Sequence, residues 1–362
     1  MTAVVEAMHA TIASGPAILG RPLAGVARAA TGLVYGAVRG VTALVGGGLD
    51  LALGQLAPLL GSSVPGSERD AVVAALNGVL GDYLVETANP LAIEMTVRYE
   101  GELGPKLLVL VHGSSMSDRQ WLQGGHDHGA ALARDLGYTP IYLHYNSGLH
   151  ISTNGRALAV QLERLVAEWP VAIDELVLLG HSMGGLVARS ACHVGTDHAW
   201  RSHLRTLITL GTPHHGAPLE RGGNMVELLL GISRYSAPLV RLGKIRSAGV
   251  TDLRYGNVLD EHWHARDRFE HRIDDRVPLP LPAGVRCYAI AGSLSPDAGV
   301  RARGDGLVPI ASALGIHASP EHTLAFPESR RRVVYGTGHI QLLGSAAVYE
   351  TLRTWLERDA SL

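Results

Sequence analysis

The stretch LVLLGHSMGGLVAR at residues 176–189 constrains the fold more than any other part of the chain. Leu176, Val177, Leu178 and Leu179 form a continuous apolar run, the pattern of a strand buried on both faces. Leu186, Val187 and Ala188, then Ser190, Ala191 and Cys192, suit a helix lying on that sheet. The intervening Gly180-His181-Ser182-Met183-Gly184-Gly185 must therefore reverse the chain sharply at Ser182. Such a turn strains the serine backbone, and the small residues at 180 and 184 remove side chains that would collide where strand and helix nearly touch. A hydroxyl is left standing at the carboxyl end of a strand, a nucleophile in need of a base.

From about residue 90 the pattern alternates strand and helix. Strands are predicted near Glu94–Tyr99, Leu107–Val111, Pro140–Tyr145, Leu176–Leu179, Thr206–Leu210, Arg286–Ala291 and Arg332–Tyr335. Helices are predicted near Gly129–Leu136, Gly155–Trp169, Met183–Val194 and Ser345–Glu357. The alternation argues an α/β fold with a mostly parallel sheet and helices on both faces. Ligands of such sheets bind beyond the carboxyl ends of the strands, so the loops at His112-Gly113-Ser114, Asn146-Ser147-Gly148, Ser182 and Gly211-Thr212-Pro213-His214-His215-Gly216 should share one rim.

In enzymes with a strand-turn-helix nucleophile, the order along the chain is Ser, acid, His. Downstream of Ser182, Gly304-Asp305-Gly306 places a carboxylate on a glycine-flanked loop, and Gly336-Thr337-Gly338-His339 ends the last strand before the last helix. The candidate catalytic set is Ser182, Asp305 and His339, with Asp297 on the same loop as the competing acid. Acyl transfer also needs two backbone N–H donors for the developing oxyanion. Met183 at the start of its helix and Ser114 after the strand LLVLV are the expected donors. His112, Gly113, Asn146, His181 and His214 are expected around the substrate site, His112 shaping its turn and His181 lying on the other side of the elbow.

Residues 1–88 differ: rich in Ala, Gly, Val and Leu, with glycines at 32, 36 and 40 on one stripe of a helical pattern. Arg21, Arg28, Arg39 and Asp50 interrupt it, leaving no apolar span of membrane length. A second amphipathic helix is expected through Val72, Leu76, Val79, Leu80 and Tyr83. This segment reads as a helical extension packed on a catalytic domain at 89–362, with homodimer formation or attachment to a lipid surface as the alternatives. No secretion signal is read at the N-terminus, and the two cysteines, Cys192 and Cys287, read as reduced core residues, which together point to the cytoplasm. With 31 Lys plus Arg against 33 Asp plus Glu, there is no electrostatic case for nucleic acid as a partner, and a small-molecule or lipid ester is the default substrate.

The residues so assembled, GHSMGGLVAR with LGTPHHGAP, resemble the α/β-hydrolase superfamily from about 93 to 360, and within it the bacterial lipase and GPI-inositol-deacylase-like branch. The resemblance implies hydrolysis of carboxylic esters through Ser182, Asp305 and His339. Two stretches depart from it. The N-terminal segment is not part of the core fold, and residues 217–284 are long for a strand connection and read as an inserted cap or lid, with a helix at Met225–Leu230. The same chemistry with an alcohol or thiol partner would give an acyltransferase or thioesterase; a non-catalytic interaction protein on this fold is the reading from another class. The pairs His126/His128 and His262/His264 are read as surface residues, and the sequence calls for no metal or cofactor.

Overall fold

A computed structural model of the chain describes residues 67–216, 247–267, 274–298 and 304–360. All seven expected strands form, within two residues of their expected ends: β1 Thr96–Tyr99, β2 Lys106–Val111, β3 Thr139–His144, β4 Glu175–His181, β5 Leu204–Leu210, β6 Arg286–Ser293 and β7 Arg331–Tyr335. They build one sheet in the order β1-β3-β2-β4-β5-β6-β7. Every pairing is parallel except β1 on β3, where Thr96 faces His144 and Tyr99 faces Ile141. The helices are α1 Ser67–Glu86, α2 His128–Leu136, α3 Ile151–Glu168, α4 Met183–Val194, α5 Ala248–Asp252, α6 Ile310–Ala313 and α7 Ala346–Ala360. This is the α/β-hydrolase architecture.

Period-two alternation divides the buried side chains of each central strand between two cores. Leu107, Val109, Leu176 and Leu178 point into one face, where Leu158 and Leu162 of α3 and Leu186 and Val187 of α4 meet them. Leu108, Leu110, Val177 and Leu179 point into the other, against Leu132 of α2 and Leu352 and Trp355 of α7. Both faces being covered explains why these strands carry uninterrupted apolar runs. Cys192 and Cys287 are free and buried, and burial pushes the Cys192 thiol up to about 12, so it packs as a small apolar side chain.

The sequence suggests an amphipathic second helix in the N-terminal segment; α1 is instead buried from Ala71 through Gly81. It is seated on the rim beside the carboxyl ends of β2 and β3. Asn77, fully buried, donates from Nδ2 to Val73 O and Leu91 O and accepts Ile93 N–H at Oδ1, tying the helix to the segment that leads into β1. The Asn146 amide donates to Gly81 O, and Ser247 Oγ donates to Gly78 O. A methyl group on Gly78 would stand 2.0 Å from Ser115 Oγ, and one on Gly148 would stand 2.1 Å from Asn77 O. Glycine is required at both places by close approach of backbone to backbone or side chain.

The expected helix at Met225–Leu230 and the glycine stripe at 32, 36 and 40 lie outside the described residues. The described part of the long β5–β6 connection packs back on the body. Asp82 Oδ2 accepts Ala248 N–H at the start of α5, and Asp252 Oδ2 accepts Ile151 N–H at the start of α3.

Because backbone atoms line the Gly148 contact and cannot rotate away, Gly148→Ala is expected to lower stability by about 1–3 kcal/mol through overpacking. Urea unfolding of the variant beside the wild type measures it, and an unchanged midpoint would refute the seating of α1 described above.

Candidate active site

Ser182 is the residue on which the rim is built. It follows β4 with φ 53° and ψ −124°, one of four non-glycine residues with positive φ among those described. The strained turn drives α4 directly back across the sheet, and the contacts explain the flanking glycines. A methyl on Gly184 would stand 2.0 Å from Val111 O, and one on Gly180 would stand 2.5 Å from the backbone of Gly185. Ser182 N–H donates to Leu210 O at 2.8 Å, which locks the elbow to the end of β5.

The residue after Leu210 carries the elbow to the other two candidates. Gly211, with φ +55°, is so close that a methyl there would stand 3.0 Å from Asp305 Oδ2 and 3.2 Å from His339 Cε1. His339 Nδ1 lies 2.7 Å from Asp305 Oδ2. An ionised carboxylate only accepts, so the proton of the imidazole sits on Nδ1 and leaves Nε2 with a lone pair. The other carboxylate oxygen, Oδ1, accepts Leu307 N–H at 3.0 Å and Val308 N–H at 2.8 Å, and Asp305 O accepts His339 N–H at 3.0 Å. The acid is thus held by two amides of its own loop and by the backbone of the histidine loop. Asp297, the competing acid, is exposed, and the carboxylate facing His339 is that of Asp305.

Ser182 and His339 are buried, and neither Ser182 Oγ nor His339 Nε2 has a hydrogen-bond partner among the described residues. Two reactive atoms left unsatisfied in a buried site are the arrangement that a reacting group would complete. Facing them is the loop after β2. A methyl on Gly113 would stand 3.0 Å from Ser182 Cβ, so the 113–115 backbone lies against the nucleophile. Met183 N–H, in the first turn of α4, has no acceptor within its own helix. Ser114 is fully buried in the same loop.

The expected neighbours divide by what their polar atoms touch. His112 stacks on Tyr145 at 4.3 Å, places Nδ1 2.8 Å from Gly113 O, and has its carbonyl bonded by the Tyr145 hydroxyl at 2.8 Å. His181 donates from Nε2 to His339 O at 3.1 Å, with the two rings 4.8 Å apart, so it props the backbone of the candidate base. Asn146 spends its amide on Gly81 O and Gly148 N–H and builds the seat for α1. His214 has both ring nitrogens engaged, with Arg189 and Thr209, and offers neither to a substrate. His262 likewise accepts Val258 N–H at Nδ1 and donates to Val277 O.

Two residues matter that the sequence did not single out. Ser115 has φ 58°, and its N–H donates to Ser147 Oγ at 2.9 Å, which pins the loop beside the nucleophile. Positive φ at a serine carries no compositional signal, and the Ser147 contact spans two different loops.

An open, mostly parallel sheet with a serine at a positive-φ elbow and a buried imidazole–carboxylate pair beside it is the arrangement of the α/β-hydrolase fold. Within that class, residues 103–276 match the family model described as a PGAP1-like alpha/beta domain. Over 60 residues the chain is 37% identical to a GPI inositol-deacylase of Debaryomyces hansenii, a match that covers 17% of this chain and 6% of that protein. Among solved structures, the mature lipase BlEst2 of Bacillus licheniformis is similar at 17% identity and a TM-score of 0.47, over 73% of this chain and 98% of that one. The esterase RhEst1 of Rhodococcus sp. ECU1013 is similar at 17% identity and a TM-score of 0.43, over 73% and 94%. No helix among the described residues is long and apolar enough to cross a membrane.

Burial holds the His112 imidazole down to about 3 and the His128 imidazole down to about 4, against an ordinary value of 6.5. A histidine whose value is depressed in the fold is neutral there and takes up its proton first in the unfolded chain. Its stabilising contribution is therefore complete above pH 6.5 and is lost as the pH falls towards 4. Each such ring costs the fold about 2 kcal/mol at pH 5. Urea midpoints measured at pH 7 and pH 5 are expected to fall steeply, and equal midpoints would contradict the burial of these rings.

Proposed function

We propose that the protein is a serine hydrolase of carboxylic esters, an esterase or lipase working through an acyl-enzyme. The observation that carries this reading is the strained Ser182 elbow locked through Leu210 to a strand whose next residue, Gly211, leaves no room for a side chain against Asp305 and His339. In this reading His339 Nε2 takes the proton of Ser182 as its oxygen attacks the ester carbonyl, and Asp305 stabilises the imidazolium through Nδ1–H. The oxyanion is held by the backbone N–H groups of Met183 and Ser114. Collapse of the tetrahedral adduct passes the proton from His339 to the departing alcohol. Water, deprotonated by the same nitrogen, then releases the acid and restores the serine.

The partial likeness to a protein named as a GPI inositol-deacylase agrees with removal of an acyl group from an alcohol oxygen. The wider chain supports an aliphatic acyl group over an aromatic one, because only 5% of its residues are aromatic and it contains two Phe. The substrate is a small-molecule or lipid ester, and no cofactor enters the cycle.

Hydrolysis of p-nitrophenyl esters from short to long acyl chains tests the reading. Ser182→Ala is expected to lose at least about 10³-fold in kcat and to escape labelling by a fluorophosphonate. Asp305→Asn should keep the fold and lose about 10²–10⁴-fold, because the wrong imidazole tautomer is then favoured. A wild-type protein that neither turns over any ester nor takes the label would overturn the proposal and return attention to a binding role for the N-terminal helices.

A further inference from the structure

Arg189, two turns along α4 from the elbow, is buried to 4% exposure, yet no carboxylate pairs with it among the described residues. Of its five N–H donors, one on Nη1 goes to His214 Nδ1 at 3.3 Å and one on Nη2 to Leu279 O at 2.7 Å. Nε has no partner. Since Arg189 can only donate, His214 accepts at Nδ1 and is neutral, its Nε2–H turned to Thr209 Oγ1. The nearby cations do not need a counter-ion: Arg276 is bidentate with Asp274, and His262 is neutral with both nitrogens used. Among the described residues, one full positive charge is left without a carboxylate in the interior.

Beside it is a cavity of about 20 Å³, lined by Arg189, His214, His262, Arg276, Leu279 and His322. That volume has room for a particle about the size of a water molecule or a halide. Removing an isolated guanidinium from water without a partner costs several kcal/mol, whereas an anion at bonding distance satisfies both the charge and the idle N–H groups. Desolvation, with repulsion from Arg276 behind it, pulls the Arg189 value down to about 10, the direction expected of a cation short of compensation.

We infer that the cavity beside Arg189 is a binding site for a small monovalent anion, chloride in the first instance, held by the guanidinium. The site is separate from ester hydrolysis but joined to it by chain: His214 lies three residues beyond Gly211, where a side chain would strike Asp305 and His339. A bound anion fixes the far end of that loop together with the body of α4.

Thermal unfolding of the full chain in chloride, with gluconate holding ionic strength constant, tests the site. The wild-type Tm should rise along a saturable curve, by roughly 2–4 °C at ten times the midpoint concentration. Arg189→Met should flatten the curve, while Arg189→Lys should keep a weaker rise. Should the Met variant fail to fold, crystals of the wild type grown in bromide decide the matter by an anomalous peak beside the Arg189 guanidinium. A wild-type Tm indifferent to chloride at constant ionic strength would overturn the inference, as would a bromide crystal in which water or a carboxylate of the chain occupies the cavity.

Discussion

The arrangement of the molecule depends on how closely α4 approaches the sheet. With Gly184 placed where any side chain would strike Val111 O, the helix can begin one residue after the strand-ending turn, and Ser182 has to adopt positive φ. The conformational cost of such a residue, of order 1–3 kcal/mol, is borne by the buried cores on either side of β4. Those cores hold the strand and the helix in place whether or not the turn between them is comfortable. The strained residue is also where the fold presents an unpaired hydroxyl.

A second constraint is the direction of the strands. Since β2, β3, β4, β5, β6 and β7 run parallel, the loops that leave their carboxyl ends gather on one rim, and the residues of the candidate site come from loops far apart in sequence. Beside the site each loop is then anchored by bonds from main-chain N–H groups. Leu307 and Val308 hold Asp305, Leu210 holds Ser182, and Ser147 holds Ser115. Neutral anchors of this kind leave the charge on Asp305 free to act on His339.

Much of this was legible in the sequence because it rests on local pattern. Apolar runs mark the strands, and the glycines at 180 and 184 mark where strand and helix would otherwise collide. The order Ser182, Asp305, His339 named three residues that the fold brings to neighbouring loops, and geometry separates Asp305 from Asp297 by which carboxylate faces the imidazole. What the pattern missed depends on contacts between distant segments. Asn146 and His214 had the chemistry of substrate ligands, but α1 and Arg189 claim their polar atoms. The surplus charge of Arg189 could not be read either, since only folding shows that no acid among the described residues pairs with it.

The seat of α1 also bears on the order of assembly. Its glycines bond to Asn146, 65 residues further on, and to Ser247, 169 residues further on, so the ribosome delivers this helix long before the loops that receive it. Until then its apolar residues have no dock, and contacts of such sequence separation form late and slowly. The helix therefore completes its seat only after residues well beyond it in the chain have been made.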